Sequence, residues 1–116
     1  MHNFRELKIW QRSMDFVVEI YQMCAQLPSE EKYGLVSQLK RSAVSIPSNI
    51  SEGAGRATNP QFQYFLEISM GSCNELITQV ELAFRLKFIF VEQRDKLINE
   101  ASQIYKMILG FYNTLK

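Results

Sequence analysis

The chain has 116 residues, enough for one domain with a hydrophobic core and too few for two comfortable ones. Thirteen basic residues against twelve acidic ones give a formal charge of +1, so the overall charge gives no reason to expect a nucleic acid, a membrane or an acidic substrate, and only local clustering of charge could. Hydrophobic residues make up 47% of the chain, a globular composition that argues against disorder. We predict a single domain over residues 1–116.

The amino-terminal stretch MHNFRELKIWQR is charged and lacks the apolar segment of a secretory signal. No apolar run approaches the ~20 residues that a membrane-spanning helix needs. Cys24 and Cys73 stand far from any CxxC or Cys/His spacing, which favours small buried core residues over metal ligands or redox groups. We therefore expect a cytoplasmic protein without a membrane partner.

The first predicted helix covers roughly residues 6–26 and carries two apolar stripes with the three- and four-residue steps of an α-helix. An isolated bundle buries only one such stripe efficiently, and a large exposed apolar patch usually marks an interface. The pattern therefore predicts self-association. The first stripe is Leu7, Trp10, Met14, Val17, Tyr21 and Cys24, and the second is Ile9, Phe16, Ile20, Met23 and Leu27.

The second predicted helix covers about residues 30–53, and it begins after Ser29, whose hydroxyl is typical of a helix cap. Pro47 lies inside it, and a proline removes one amide donor and crowds the carbonyl four residues back. The apolar period nevertheless continues across the proline, so we predict one helix bent at Pro47 and ended by the run Gly53-Ala54-Gly55. Its apolar positions are Leu35, Leu39, Ala43, Ile46, Ile50 and Gly53.

The third predicted helix begins with Asn59 as its cap and Pro60 in its first turn. The small residues Ser69, Gly71 and Ser72 should let another helix approach closely. The fourth helix should cover about residues 92–115, after a connection around 87–91 that has neither glycine nor proline. Four long helices with short connections and no strand pattern predict an all-α, antiparallel up-down-up-down four-helix bundle.

A polar stripe follows one face of the second helix when residues are placed at ~100° each. Its last two members, Glu52 and Arg56, have the favourable acid-first i, i+4 order of an ion pair. Three interpretations stay open: a polar network inside a subunit interface, a surface that recognises a ligand, and a plain solvated face. The stripe consists of Arg41, Ser45, Asn49, Glu52 and Arg56.

Basic charge is concentrated in residues 32–66, which hold four basic side chains against Glu52 alone. A ring of subunits would multiply this local excess, and multivalency raises affinity without a new kind of contact. Lys40, Arg41 and Arg56 are therefore candidate nucleic-acid-binding residues, with weak and largely sequence-independent binding expected because phosphate contacts carry no base information. The alternative is scattered charge that keeps the protein soluble.

No constellation of catalytic residues is present in the sequence. Ser45 and Ser48 lack a histidine base, because the only histidine is His2, in a terminus that we expect to be frayed. Di-iron bundles use Glu-x-x-His pairs, which the chain lacks, so its helix carboxylates should be solvated or paired. We predict no catalytic, cofactor-binding or metal-binding residue. The carboxylates considered are Glu52, Glu67, Glu75 and Glu81.

Three segments together resemble the family of 23S rRNA intervening sequence proteins, also called S23 ribosomal proteins. They are FRELKIWQRS, LPSEEKYGLVSQLKRSAVSIPSNISEGAGR and FQYFLEISMGSCNELITQVELA, and the run SIPSNISEGAGR is distinctive for the family. The resemblance covers about residues 4–90 and implies a four-helix bundle, usually in a cyclic homopentamer, with no assigned catalytic residues. A more distant relative is an accessory protein of diversity-generating retroelements, which the resemblance associates with nucleic acid and a reverse transcriptase.

These observations predict a non-enzymatic, self-assembling helical module that is its own partner, in a pentamer if the family pattern holds. The basic surface of the oligomer would bind RNA or DNA. Two other classes stay open: an adaptor for a protein partner that binds no nucleic acid, and a bundle enzyme that binds a metal or a small molecule.

Overall fold

The computed structural model describes residues 1–116 and contains four α-helices and no strand. The prediction of an all-α, four-helix fold is confirmed. The helices are α1 (Lys8–Cys24), α2 (Leu35–Ala54), α3 (Asn59–Arg85) and α4 (Val91–Tyr112), with short 3₁₀ turns at Phe4–Glu6 and Ser29–Glu31.

The bundle packs α2 between α1 and α3, and α4 closes it against both α3 and α1. The side-chain pairs Arg12–Glu100, Glu19–Lys96 and Gln26–Gln93 run in opposite order along α1 and α4, the order that an antiparallel pair gives. The up-down-up-down arrangement of the whole bundle stays a prediction. Leu115, predicted as the last stripe residue of the fourth helix, is buried but lies three residues past the end of α4. The apolar stripe of α2 and the rest of the main stripe of α4 are buried: Leu35, Leu39, Ala43, Ile46, Ile50, Leu97, Ala101, Ile104 and Ile108.

The two apolar stripes of α1 have different environments. The stripe that begins at Ile9 is wholly inside the bundle, with Phe16 and Ile20 completely inaccessible to solvent. The neighbouring stripe lies at the surface, where Met14 is 42% and Tyr21 is 43% exposed. One chain therefore buries one stripe and leaves most of the other unpartnered.

The second helix begins at Leu35, five residues later than the sequence predicted. The hydroxyl of Ser29 hydrogen-bonds the carboxylate of Glu30 and caps no backbone amide. The helix instead starts after Gly34, and Oε1 of Glu31 accepts the amide of Leu35 at 3.2 Å. At the other end, α2 continues through Pro47 to Ala54, so the prediction of one helix is confirmed, while the bend at Pro47 stays a prediction.

The third helix is capped by Thr58, one residue before the predicted cap. The Thr58 hydroxyl accepts the Gln61 amide, and the Gln61 side chain accepts the Thr58 amide, both at 3.3 Å. This reciprocal capping box satisfies two amides of the first turn. After Arg85 the chain turns with Lys87 at a φ of 66°, and the amide of Phe88 reaches back to the Ala83 carbonyl as in a Schellman motif.

Two glycines lie in contrasting environments. The run Gly53-Ala54-Gly55 ends α2 as predicted, with Ala54 as its last residue and Gly55 as its cap, and a Cβ on Gly53 would come within 2.7 Å of Phe62 and 2.8 Å of Phe65. Gly71, predicted to admit a neighbouring helix, is instead exposed with open space around it. The close approach of α2 and α3 therefore requires Gly53 and does not involve Gly71.

The amino terminus is attached to the bundle, so the expectation that His2 is frayed was wrong. The backbone amide of His2 donates to the carbonyl of Ala54 at 2.9 Å. Its ring packs edge-on against Phe62 and Phe111, with centroids 5.1 and 5.8 Å apart. Sequence reasoning missed this contact because both aromatic partners are more than 50 residues away along the chain.

Candidate functional site

The middle of the predicted polar stripe forms a hydrogen-bonded network between α2 and α3. The side-chain amide of Asn49 donates to both the carbonyl and the hydroxyl of Ser45, at 2.8 and 2.9 Å. The hydroxyl of Ser72 in α3 donates to that of Ser45 at 2.8 Å. These groups satisfy one another, so this part of the stripe holds two helices of one chain together.

Two further hydrogen bonds cross the same helix pair and were not found from the sequence. The Ser69 hydroxyl donates to the carbonyl of Ile46, next to Pro47, at 2.8 Å. The buried Ser42 hydroxyl donates to the Gln79 side chain at 2.7 Å. The only sign of these bonds in the sequence was Gln79, a glutamine among the apolar positions of α3. Every buried side-chain N or O atom has a hydrogen-bond partner, so α2 and α3 form a fully satisfied pair.

The end of the stripe lies at the surface. Arg56 Nη2 donates to Oε1 of Glu52 at 2.5 Å, the pairing that the i, i+4 spacing predicts. The guanidinium carbon of Arg56 also lies 4.8 Å from the centroid of the Phe65 ring. At the opposite end, Arg41 is exposed and forms no salt bridge, so the stripe divides into a buried network and two separate surface groups.

The three candidate nucleic-acid-binding residues do not form one patch within a chain. The Nζ atom of Lys40 lies 4.7 Å from the centroid of Tyr21 in α1, and its side chain is half-buried. Arg41 lies in α2 and Arg56 lies two residues past its end, and a separation of 15 residues is about 22 Å along a helix. Any phosphate-binding surface that uses all three must combine residues from more than one chain or follow an extended ligand.

A continuous apolar feature outside the core lies over α1 and α2, and we call it the α1–α2 apolar surface. Val18 is its most exposed α1 residue, at 57%, and Val44 of α2 is 39% exposed. Two shallow hollows of about 340 and 400 Å³ meet at Val17 within it. The sequence indicated the α1 stripe but missed the α2 contribution. The surface consists of Phe4, Trp10, Met14, Val17, Val18, Tyr21, Val44 and Pro47.

Ion pairs hold α4 against α1 and α3. Arg12 donates twice to Glu100, at 2.7 and 2.8 Å, and this hydrogen bonding holds the pKa of the Glu100 carboxyl below its ordinary value. Glu81 accepts from Arg85 and Arg94, and these bonds lower its pKa. These charged groups therefore connect neighbouring helices.

The remaining candidates for chemistry are dispersed. Both cysteines are buried and unpaired, and burial raises the pKa of the Cys73 thiol to about 12, so it stays protonated at neutral pH. Glu67 accepts a hydrogen bond from the Tyr112 hydroxyl at 3.3 Å, and Glu75 is exposed. No three His, Cys, Asp or Glu side chains converge on a point where a metal could bind.

None of the helices combines the length and apolar character needed to cross a membrane.

Comparison with known proteins gives one family and one fold. The family model of the 23S rRNA-intervening sequence protein matches residues 5–110. A crystal structure of a protein of unknown function, from the S23 ribosomal protein family of Bacteroides thetaiotaomicron VPI-5482, is 28% identical to this chain with a TM-score of 0.83. The match covers 90% of this chain and 97% of that one. No curated protein matches the chain.

Proposed function

The chain belongs to the family of 23S rRNA-intervening sequence proteins, and we propose that it is a non-enzymatic, self-assembling helical module. The observation that carries the proposal is the α1–α2 apolar surface. Burying apolar area contributes roughly 25 cal/mol per Å² to the free energy of association. A surface with two apolar hollows therefore binds most favourably to a partner that is also apolar.

A second copy of the chain is the partner that the exposed residues favour. The outer face of α3 carries its own spaced row of exposed apolar side chains, on a helix whose backbone does not come close to that of α1. Two unlike apolar surfaces on one chain favour a head-to-tail contact, and such contacts close into rings when the rotation permits. The row consists of Ile68, Leu82 and Leu86, and the family resemblance adds the expectation of five subunits.

The mass of the protein in solution tests this proposal. Val18→Glu places a charge in the α1–α2 apolar surface at a side chain that is already 57% exposed, so the fold of the chain should tolerate it. We expect light scattering at micromolar concentration to give an oligomer for the wild type, near 68 kDa for five copies of the 13.5 kDa chain. The variant should give a mass near 13.5 kDa.

A matched control is Leu109→Glu, which makes the same change on α4 at a side chain that is 39% exposed. This variant should keep the wild-type mass, because Leu109 lies outside both proposed contact surfaces. A wild-type protein that is monomeric at micromolar concentration contradicts self-assembly. Equal loss of mass in both variants would indicate a general effect of charge and not this surface.

We further propose that the assembled module binds RNA through Arg41, repeated once in each copy. Arg41 is exposed and unpaired, whereas Lys40 contacts Tyr21 in the α1–α2 apolar surface, so Arg41 is the group with free donors. An isolated chain with a charge of +1 should bind RNA poorly, and a ring brings several copies of the arginine within reach of one strand.

Filter retention of a labelled single-stranded RNA measures this binding. We expect the log of the affinity to fall with log salt, by roughly 0.7 for each neutralised phosphate, and Arg41→Glu to abolish retention without changing the mass. Lys106→Glu makes the same charge change at an exposed lysine on α4 and should retain RNA. If the wild type retains no RNA at ~50 mM salt, where electrostatic attraction is strong, a protein partner becomes the better proposal.

A further inference from the structure

An open hollow of about 340 Å³ lies where α2 gives way to α3, apart from Arg41 and from the α1–α2 apolar surface. Its lining combines one cation, one side-chain amide and three ring-bearing residues. This volume is within the usual range of small-ligand sites. The lining residues are Arg56, Pro60, Gln61, Tyr64 and Phe65.

The cation in this hollow is held in place by its neighbours. Arg56 lies over the Phe65 ring at 4.8 Å and donates one hydrogen bond to Glu52. A guanidinium has five N–H donors in a planar fork, so most of them are free after this single bond. The fork is thus oriented before a ligand arrives and retains the capacity to bind an anionic oxygen.

An exposed aromatic ring lies beside the cation. Tyr64 is 61% exposed, and its ring stands at 82° to that of Phe65 with centroids 5.3 Å apart. The capping box fixes Gln61 through its oxygen and leaves its NH₂ group without a protein partner. An anion-binding fork, an open aromatic ring and an amide donor therefore lie around one hollow.

We propose that this hollow binds one nucleotide unit, with the base against Tyr64 and the phosphate on Arg56. A flat base stacks on an exposed aromatic ring, and a phosphate matches the fork of an arginine. Gln61 supplies a donor for the edge of the base. The same chemistry fits a free mononucleotide or one residue of a single-stranded RNA, and in the second case the inference rests on the RNA binding proposed above.

Glu52 is the one charged side chain that opposes this assignment, because its carboxylate neutralises part of the charge on Arg56. The competition between Glu52 and the phosphate for Arg56 leads to a specific prediction. Glu52→Gln should raise the affinity for the nucleotide, since it removes the competing carboxylate and keeps the shape of the side chain. A purely structural role for the Glu52–Arg56 pair predicts no gain in affinity.

The test measures the binding of three probes to the full chain by fluorescence anisotropy and calorimetry. The probes are an oligoadenylate, a phosphodiester oligomer of equal length without bases, and free adenosine monophosphate. We expect Tyr64→Leu to weaken oligoadenylate binding about tenfold and to leave the base-free oligomer unaffected, in line with the usual contribution of base stacking. Arg56→Gln should weaken binding of both oligomers, and Glu52→Gln should strengthen both.

Tyr33→Leu is the control, because Tyr33 is 87% exposed at the other end of α2 and lies outside the hollow. Binding of adenosine monophosphate with the same dependence on Tyr64 would identify the free nucleotide as the ligand, and binding of the oligomer alone would identify RNA. The inference fails if Tyr64→Leu and Arg56→Gln bind every probe as the wild type does. If RNA binding that depends on Arg41 persists in that case, the proposed function stands without this site.

Discussion

Gly53 sets how closely α2 and α3 approach each other. It is buried near the end of α2, and the space that a side chain would need is already filled by Phe62 and Phe65. Glycine in a helix costs roughly 0.5–1 kcal/mol relative to alanine, so this position gives up helix stability for contact between helices. The helical period places Gly53, and not Gly55, on the apolar stripe, but nothing in the sequence tells that Phe62 and Phe65 fill the space beside it.

We expect Gly53→Ala to lower the free energy of unfolding by about 1–3 kcal/mol, the usual cost of overpacking a core. Gly71→Ala is the matched control, because its new methyl group meets no atom within 4 Å. It should raise the free energy of unfolding by about 0.5–1 kcal/mol through helix propensity. Urea denaturation of both variants checks the pair, and stabilisation by both substitutions would contradict the packing role of Gly53.

Charged side chains join α1 to α4, whereas the side-chain hydrogen bonds between α2 and α3 come from uncharged groups. Arg12 and Glu100 form the only doubly hydrogen-bonded ion pair of this helix pair. Since the pKa of Glu100 is lower in the folded chain than in the unfolded one, the pair stabilises the fold fully above the unfolded pKa of about 4.3. That stability is lost as the pH falls through the lower, folded pKa.

Glu100→Gln should therefore lower the free energy of unfolding by about 1 kcal/mol at pH 7, allowing for the partial exposure of Arg12. The difference from the wild type should begin to shrink as the pH falls below about 4.3 and should disappear once the carboxyl of the folded wild type is protonated as well. Glu75→Gln, at an exposed carboxylate without an ion pair, should change little at any of these pH values. A Glu100→Gln effect that persists unchanged at pH 3 would show that the charge of Glu100 is not its cause.

The helices themselves were largely predictable, because apolar side chains repeat with helical period over long segments. The continuity of α2 through Pro47 followed from this repeat, since a helix end would have shifted its phase. The start of α2 was missed by five residues and the cap of α3 by one. Several residues near each boundary can cap a helix, and which one does so depends on the local turn, as Glu31 and Thr58 show.

At the scale of the whole molecule, the sequence predicted that α1 has more apolar surface than one chain buries, and the exposure of Met14 and Tyr21 agrees with this. It did not predict which residues of α2 join that surface, because Val44 and Pro47 belong to no stripe. The polar stripe was visible as a pattern. Its division into a buried network and an exposed ion pair depends on where α3 lies, and the helical period of the sequence does not show this.

Trp10 provides the most direct test that another copy covers the α1–α2 apolar surface, because it is the only tryptophan of the chain and lies within that surface. The measurement is acrylamide quenching of its fluorescence at micromolar concentration, in the wild type and in Val18→Glu. The account predicts weak quenching in the wild-type oligomer, and stronger quenching with red-shifted emission in the variant. Equal quenching in both proteins, with the wild type assembled and the variant monomeric, would contradict it, because the contact between copies would then lie elsewhere.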